Sequence, residues 1–417
     1  MAEDTRAATG QDVEPLLEPR EGVPAVITTQ QELHRYAQAL AAGSGSVAVD
    51  AERASGFRYS QRAYLVQLRR AGAGTALVDP IALPDLSVLN EALRGVEWVL
   101  HAANQDLECL REVGMTPDAL FDTELAGRIL GRDRVGLGAI VAAELGLGLA
   151  KEHSAADWST RPLPENWLRY AALDVEVLVD LRDALHADLE SQGKWAWAEQ
   201  EFEHVRTLPP PAARVEPWRR LSRITTLRGS RAMAVARELW YARDEVARER
   251  DTAPGRILPD RAIVAAAAAM PRDRAGLARL PEFSGRGTRR RVERWWAAVA
   301  RAQSLPEQDL PSRRGPRTDD MPASRSWAPR FPEEAERLRA VRATLRRIAG
   351  EVGTPQENVL TPDTQRRIAW DPPSPVTAEA VGERLRVLGA RAWQTELTAP
   401  AIAAALRDPA SVPDDAA

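Results

Sequence analysis

The 417 residues exceed what one hydrophobic core organises, and at about 100–200 residues per domain they imply two to four domains. Charged residues make up 28% and hydrophobic residues 44%, a balance that excludes a wholly disordered chain. The net charge of −4 conceals an asymmetry: residues 1–213 carry 19 basic and 33 acidic side chains, 214–303 carry 21 and 10, and 304–417 carry 16 and 17.

Residues 1–23 read as a solvated acidic tail. Order is expected from Ala25–Thr28, then a helix through Leu33, Tyr36 and Leu40, then the short apolar strand Val47–Val49. Residues 63–70 and 75–80 flank a Gly-Ala-Gly turn and predict a hairpin. A helix over 84–94, a strand at Trp98–His101, a helix over 104–113 and a strand around Leu120 follow, then helices over 123–130 and 135–146. One long helix is predicted from Pro164 to Ser191. Early strands covered by helices make 24–206 an α/β unit with a mixed sheet. Prolines in 207–218 break the chain. Residues 219–304 read as all-α, with helices over 231–250, 260–270 and 288–303. A second proline-rich linker occupies 305–332. A second all-α block spans 333–407, with helices over 333–350 and 376–406, and 408–417 is a polar tail.

A single cysteine, Cys109, excludes an internal disulfide and a multi-thiolate zinc site. The N-terminus lacks a signal peptide's apolar run, and the longest apolar stretch, Ala262–Met270, is far below the ~20 residues that span a bilayer. A cytoplasmic protein with no membrane partner is therefore expected.

Three acidic motifs carry the chemistry. Strand 47–49 delivers Asp50, and Glu52 follows two residues on, so both carboxylates share one face of an extended chain. Asp106 opens the helix after strand 98–101, a place where an acid also complements the helix dipole. Tyr170 and Asp174 are one helical turn apart. Four carboxylates meeting at one place repel unless cations neutralise them, and hard oxygen donors suit Mg²⁺ or Mn²⁺. Two such ions balance the set and support phosphodiester hydrolysis.

VAVDAER, HAANQDLECL and YAALD, in this order, resemble the three motifs of the DEDD 3'-5' exonucleases of the tyrosine subtype. RAYLVQLRR and DWSTRPLPENWLRYAALDV resemble ribonuclease D more specifically. The resemblance implies a ribonuclease H-like mixed sheet with helices, followed by two all-α domains. It implies Asp50, Glu52, Asp106 and Asp174 as ligands of two Mg²⁺ or Mn²⁺ ions, and Tyr170 as the residue that positions the attacking water. Arg53 departs from the family's usual apolar or aromatic residue and is a candidate phosphate contact. His101 and Arg161 are further candidates for touching nucleic acid. For His101 a scaffold hydrogen bond competes with that role, and for Trp158 beside Arg161 so does core packing. Lys151 and Arg169 carry suitable charge but also fit a solvated surface.

Residues 220–303 resemble the HRDC domain through ARELWYARDEVARERDTAPGRILPDRAIVAAAAAMPRDRAGLARLPEF. Their positive balance fits a surface that follows phosphates. Arg286, Arg289, Arg290, Arg291 and Arg294 beside Trp295 and Trp296 are the local candidates, against the plain alternative of a solvated face over buried tryptophans. Residues 333–407 occupy the place of a second HRDC-like domain. The resemblance implies a monomeric exoribonuclease that releases 5'-mononucleotides and acts on tRNA or other structured-RNA precursors. A DNA-directed repair exonuclease and a non-catalytic nucleic-acid-binding scaffold are the alternatives. The motifs do not separate RNA from DNA, whereas all four acids and the tyrosine are present, against the scaffold.

Overall fold

A computed structural model describes residues 13–149, 155–210, 212–313, 315 and 321–413. Eight strands occur among them: β1 (Glu14–Leu16), β2 (Val26–Ile27), β3 (Ser44–Arg53), β4 (Ala63–Ala71), β5 (Gly74–Val78), β6 (Glu97–Leu100), β7 (Ala119–Asp122) and β8 (Leu147–Leu149). Six form one mixed sheet in the order β2-β5-β4-β3-β6-β7. The predicted hairpin supplies the antiparallel pair β4–β5, and β3–β4 is antiparallel too, whereas β2–β5, β3–β6 and β6–β7 run parallel. β3 is long and interior, and Val47, Ala48 and Val49 are fully buried. Such a run, apolar on both faces, belongs in the interior of a sheet, and pairing with β4 on one side and β6 on the other sets its register.

The N-terminal tail is shorter than its composition suggests. β1 pairs in parallel with β8, and the Arg20 backbone N–H donates to the buried Glu176 carboxylate at 3.0 Å. Residues 1–12 of that tail and 414–417 at the other end lie outside the described residues. A strand of three residues with its partner 133 positions away leaves no periodicity to read.

The helix expected over 164–191 is two, Glu165–Glu176 and Leu178–Ser191, meeting at Val177. The halves face different clusters. Ala171 and Ala172 pack with Tyr64, Leu65, Leu77 and Trp158, while Leu178, Leu181, Leu185 and Leu189 pack with Phe121, Ile129 and Phe202. A straight helix cannot present its apolar stripe to both. Likewise 376–406 divides into Ala378–Val387 and Ala392–Arg407, because Gly389 takes φ +89° and reverses the chain.

Two helical clusters follow the sheet. One gathers Leu239, Val246, Ile263 and Phe283 around the buried Trp218 and Trp295. The other joins the helix Pro332–Val352 to its neighbours through Val341, Leu345, Ile368 and Ile402. The first cluster touches the sheet unit on the loop after β3. There the Ala253 N–H donates to the Phe57 carbonyl at 2.9 Å, and Asp251 accepts from the Ser60 N–H at 2.8 Å and the Tyr64 hydroxyl at 3.2 Å. The second touches it at the end of the helix Thr123–Ile129. Lys194 Nζ donates to the carbonyls of Ile129 and Gly353, and the Thr354 hydroxyl also donates to Ile129. Gly131 permits this approach, since any Cβ there would collide with the Gly353 carbonyl. Among the described residues, no helix is long and apolar enough to cross a membrane.

Candidate active site

Asp50 and Glu52 stand where β3 leaves the sheet's centre, and a register shift against β4 falls between Glu52 and Arg53. Such a bulge re-aims the strand end and its side chains. The helix Glu165–Glu176 crosses this face and adds Tyr170 and Asp174 one turn apart. Carboxylate oxygens of Asp50, Glu52 and Asp174 lie within 4.8 Å of one another. Asp106 is 6% exposed and lines the same cavity of about 560 Å³, although outside that closest group. Arg53, Ser55, His101, Gln105 and Tyr170 line it too.

Asp106 owes its position to a residue that sequence reasoning missed. After β6 the chain turns through Ala102 at φ +58°, a left-handed conformation that alanine rarely takes. The buried Asp122 carboxylate holds that turn by accepting the N–H groups of Ala102 at 3.1 Å and Ala103 at 2.8 Å. It also caps the helix Thr123–Ile129 by accepting from Glu124 and Leu125. The signal was an Asp-Thr-Glu sequence at a helix start, which marks a cap but gives no hint of its second partner.

The electrostatics are those of an anionic cluster short of cations. Burial pushes Asp50 up to about 6. Burial and then the charge of Asp50 raise Glu52, Asp106 and Asp174 well above the usual carboxylate range. Arg53 offsets part of this, with Nη2 3.8 Å from the Asp106 carboxylate. Among the described residues, Asp50, Glu52 and Asp174 form no ion pair with a lysine or arginine. Several carboxylates with oxygen donors alone, unpaired and mutually repelling, fit a hard divalent cation. The Tyr170 hydroxyl hydrogen-bonds Asp174, and burial, then Asp174, raises its pKa beyond its ordinary value. The phenol therefore keeps its proton at neutral pH.

Other predicted contacts fall differently. His101 lines the cavity, but its Nδ1 is 2.9 Å from the Thr123 hydroxyl, and burial lowers its pKa to about 4. A neutral ring held by the scaffold brings no positive charge to a phosphate. Arg161 is a correction as well. Its Nε and Nη2 donate to Asp79 at 2.8 Å each, and its remaining donors meet the carbonyls of Tyr64, Trp158 and Thr160. With its donors committed to the scaffold, it fixes the loop ahead of the third motif. Trp158 is fully buried, so it packs and stacks on no base. Arg169 pairs with Glu18 at 2.9 Å, and Cys109 is buried in the core. Lys151 lies outside the described residues. Arg286, Arg289 and Arg290 are exposed and do not line the cavity. Arg294 is spent on Glu245 and Glu249, Trp295 is buried with its N–H on the Thr288 carbonyl, and Trp296 packs against the core.

Known proteins resemble this chain along most of its length. Residues 24–190 match the family described as 3'-5' exonuclease, 232–299 the HRDC domain, and 320–406 a 3' to 5' exonuclease C-terminal domain. The block expected to be a second HRDC-like module thus matches a family of its own. The chain is 33% identical over 302 residues to ribonuclease D of Jannaschia sp. (strain CCS1), covering 69% of this chain and 77% of that protein. It is 31% identical over 294 residues to ribonuclease D of Escherichia coli (strain K12), covering 69% and 76%. Among solved structures, a protein from Bifidobacterium adolescentis is 40% identical with a TM-score of 0.88, covering 95% of this chain and all of that one. Escherichia coli RNase D, described as an exoribonuclease involved in structured RNA processing, is 27% identical with a TM-score of 0.65, covering 87% and 98%.

Proposed function

The chain belongs to the ribonuclease D family, and on that premise we propose that it is a 3'-5' exoribonuclease whose catalytic residues are Asp50, Glu52, Asp106, Tyr170 and Asp174. The observation that carries this reading is the convergence of three carboxylates within 4.8 Å, beside Asp106 and Tyr170, in one open cavity. The four carboxylates would hold two divalent ions, Mg²⁺ or Mn²⁺. Bound there, such ions supply an activated water and neutralise charge on the leaving oxygen.

The chain's own groups do the rest. Tyr170 keeps its proton and orients the attacking water by a hydrogen bond rather than abstracting a proton. Asp174 fixes the phenol. Arg53, a quarter exposed beside Asp106, meets the phosphate next to the scissile bond. His101 forms an uncharged wall. The products are 5'-mononucleotides, and the substrates are 3' ends of structured RNAs, tRNA precursors among them.

Residues 24–206 act as the catalytic unit of a monomer, with 219–304 and 333–407 as two helical modules. Exposed Arg286, Arg289 and Arg290 on the first module attract the RNA backbone without reading sequence.

Digestion of matched 3'-labelled RNA and DNA oligonucleotides with Mg²⁺, with EDTA and with Asp174→Asn tests the reading. RNA should be degraded faster, EDTA should abolish activity, and the substitution should cost on the order of a hundredfold or more. Activity surviving both treatments would sink the metal assignment, and faster digestion of DNA would overturn the substrate.

A further inference from the structure

β4 is apolar through Tyr64, Leu65, Val66 and Leu68, and Gln67 interrupts it. Gln67 is fully buried, and neither its amide nitrogen nor its amide oxygen has a hydrogen-bond partner. Burying an unpartnered amide is destabilising, because it gives up its bonds to water and gains none in return. A leucine or methionine would fill the position without that cost.

The sheet register gives the amide its neighbour. In the antiparallel pairing of β3 with β4, Gln67 stands directly opposite Asp50, between the pairs Val49–Leu68 and Ala51–Val66. Directly opposed residues project to the same face with Cβ atoms about 4.5–5.5 Å apart. Gln67 thus enters the layer that holds Asp50, beneath the helix carrying Tyr170 and Asp174. Its neighbour on the other side is Leu77, and that layer is otherwise built of Leu65, Leu77, Trp158, Ala171 and Ala172. An ionised carboxylate only accepts hydrogen bonds, and a glutamine amide brings two donor hydrogens. Across the strand pair, the group that can use those donors is the Asp50 carboxylate.

We propose that Gln67 is a positioning residue for Asp50: its amide, unpartnered in the metal-free fold, turns an N–H onto the carboxylate opposite it and steadies it from beneath when cations are held there. The inference rests on the reading of Asp50 as a metal ligand. Residues behind a metal ligand orient it and tune its affinity, and their loss typically weakens metal binding 10–100-fold.

The test compares wild type with Gln67→Met, which keeps length and volume and removes both polar atoms, and with Gln67→Leu in case the first variant packs poorly. Mn²⁺ affinity is measured by isothermal titration calorimetry, the metal-free Tm by scanning calorimetry, and kcat and KM on an RNA oligonucleotide. The expected result is a metal-free Tm equal to or above wild type, because an orphaned amide is gone. Mn²⁺ binding should be 10–100-fold weaker, and kcat should fall while KM for RNA holds. A raised Tm with unchanged Mn²⁺ affinity and kcat would make Gln67 a plain packing defect and overturn the proposal. So would a lowered Tm with unchanged Mn²⁺ affinity, which marks a purely structural amide. If wild type itself binds no Mn²⁺, the metal reading of Asp50 fails first and this inference falls with it. Wild-type binding with an unaltered variant removes this inference alone.

Discussion

Residues 244–256 and residues 353–393 both hold the sheet unit, but they grip it in different ways. The first seam meets the loop that follows Asp50 and Glu52. There Tyr59 donates to Asp244 at 3.1 Å, Arg256 donates to the Gly56 carbonyl at 2.8 Å, and its guanidinium lies 4.1 Å from the centre of the Phe57 ring. Its central acid, Asp251, is 35% exposed. The second seam lies at Ile129, Lys194 and Glu201, none of which lines the cavity. Glu201, only 8% exposed, accepts from Arg391 at 2.6 Å and from the Trp393 indole N–H at 2.8 Å. Trp393 stacks on Trp197 with ring centroids 4.8 Å apart. A half-hydrated seam beside the cavity has little desolvation to recover and much geometry to transmit. A dry seam far from it has the reverse. On this contrast the first seam is expected to act mainly on rate and the second mainly on stability.

The largest effect should come from Glu201→Ala. It strands a guanidinium and an indole N–H in a dry interface, a class of lesion that costs about 3–5 kcal/mol. The calorimetric Tm should fall by several degrees, while kcat/KM measured well below the transition stays within about twofold. A large loss of activity in still-folded protein would break the division between the seams.

Asp251→Ala should do the opposite. Asp251 sits at φ +43° and holds both the Ser60 N–H and the Tyr64 hydroxyl. Releasing that loop shifts Arg53 and Ser55 in the cavity wall, and a small misplacement at a reacting centre costs about tenfold or more. The expected outcome is a tenfold drop in kcat with Tm lowered by only a degree or two. An unchanged kcat would show that the first seam is merely adhesive.

pH separates the two kinds of carboxylate by sign. Burial raises Asp50 to about 6 in the folded state, so the metal-free fold binds that proton more tightly than the unfolded chain. Its stability is therefore greatest below the ordinary carboxylate pKa and declines as pH rises through about 6. For Asp251, burial acts upward but the hydrogen bonds from Ser60 and Tyr64 prevail and hold it below its ordinary value. Its contribution is present at neutral pH and fades as pH falls below about 4. In EDTA, Tm should thus drop from pH 4.5 to pH 7, and saturating Mg²⁺ should remove most of that drop. A Tm in EDTA that rises steadily over this range would mean the cavity acids are ionised without cost.

Much of the site was legible because its determinants are local. The apolar run Val47–Val49 announces the buried strand that carries Asp50, two-residue alternation pairs Glu52 with it, and a four-residue step pairs Tyr170 with Asp174. The domain-scale order of strands before helices was legible for the same reason, as was the hairpin. What escaped depends on residues far apart in the chain. Arg161 resembles a phosphate contact in sequence because its salt bridge to Asp79 spans 82 positions. Asp122 and Gln67 look like a cap and a strand filler until β3, β4, β6 and β7 are laid side by side. The break at Val177 follows from two packing surfaces that no single helical period reveals. The seams were invisible too, since Asp251 and Glu201 find their partners roughly 190 residues away.

The smallest effect concerns the charge asymmetry, and it tests whether the first module does more than hold a loop. Arg286, Arg289 and Arg290 are exposed, and no ion pair engages them among the described residues. Arg294 is already committed to Glu245 and Glu249. If the exposed arginines meet phosphates, each one releases about one counterion, and the slope of log affinity against log salt falls by about one unit for every arginine removed. Arg289→Ala with Arg290→Ala should therefore weaken RNA binding by roughly tenfold at low salt, flatten the slope by one to two units, and leave kcat at saturating RNA unchanged. Because these arginines lie outside the cavity, a fall in kcat would tie them to the loop-holding seam instead. An unchanged slope would assign the module's positive charge to solvation and leave the Asp251 seam as its one contribution to catalysis.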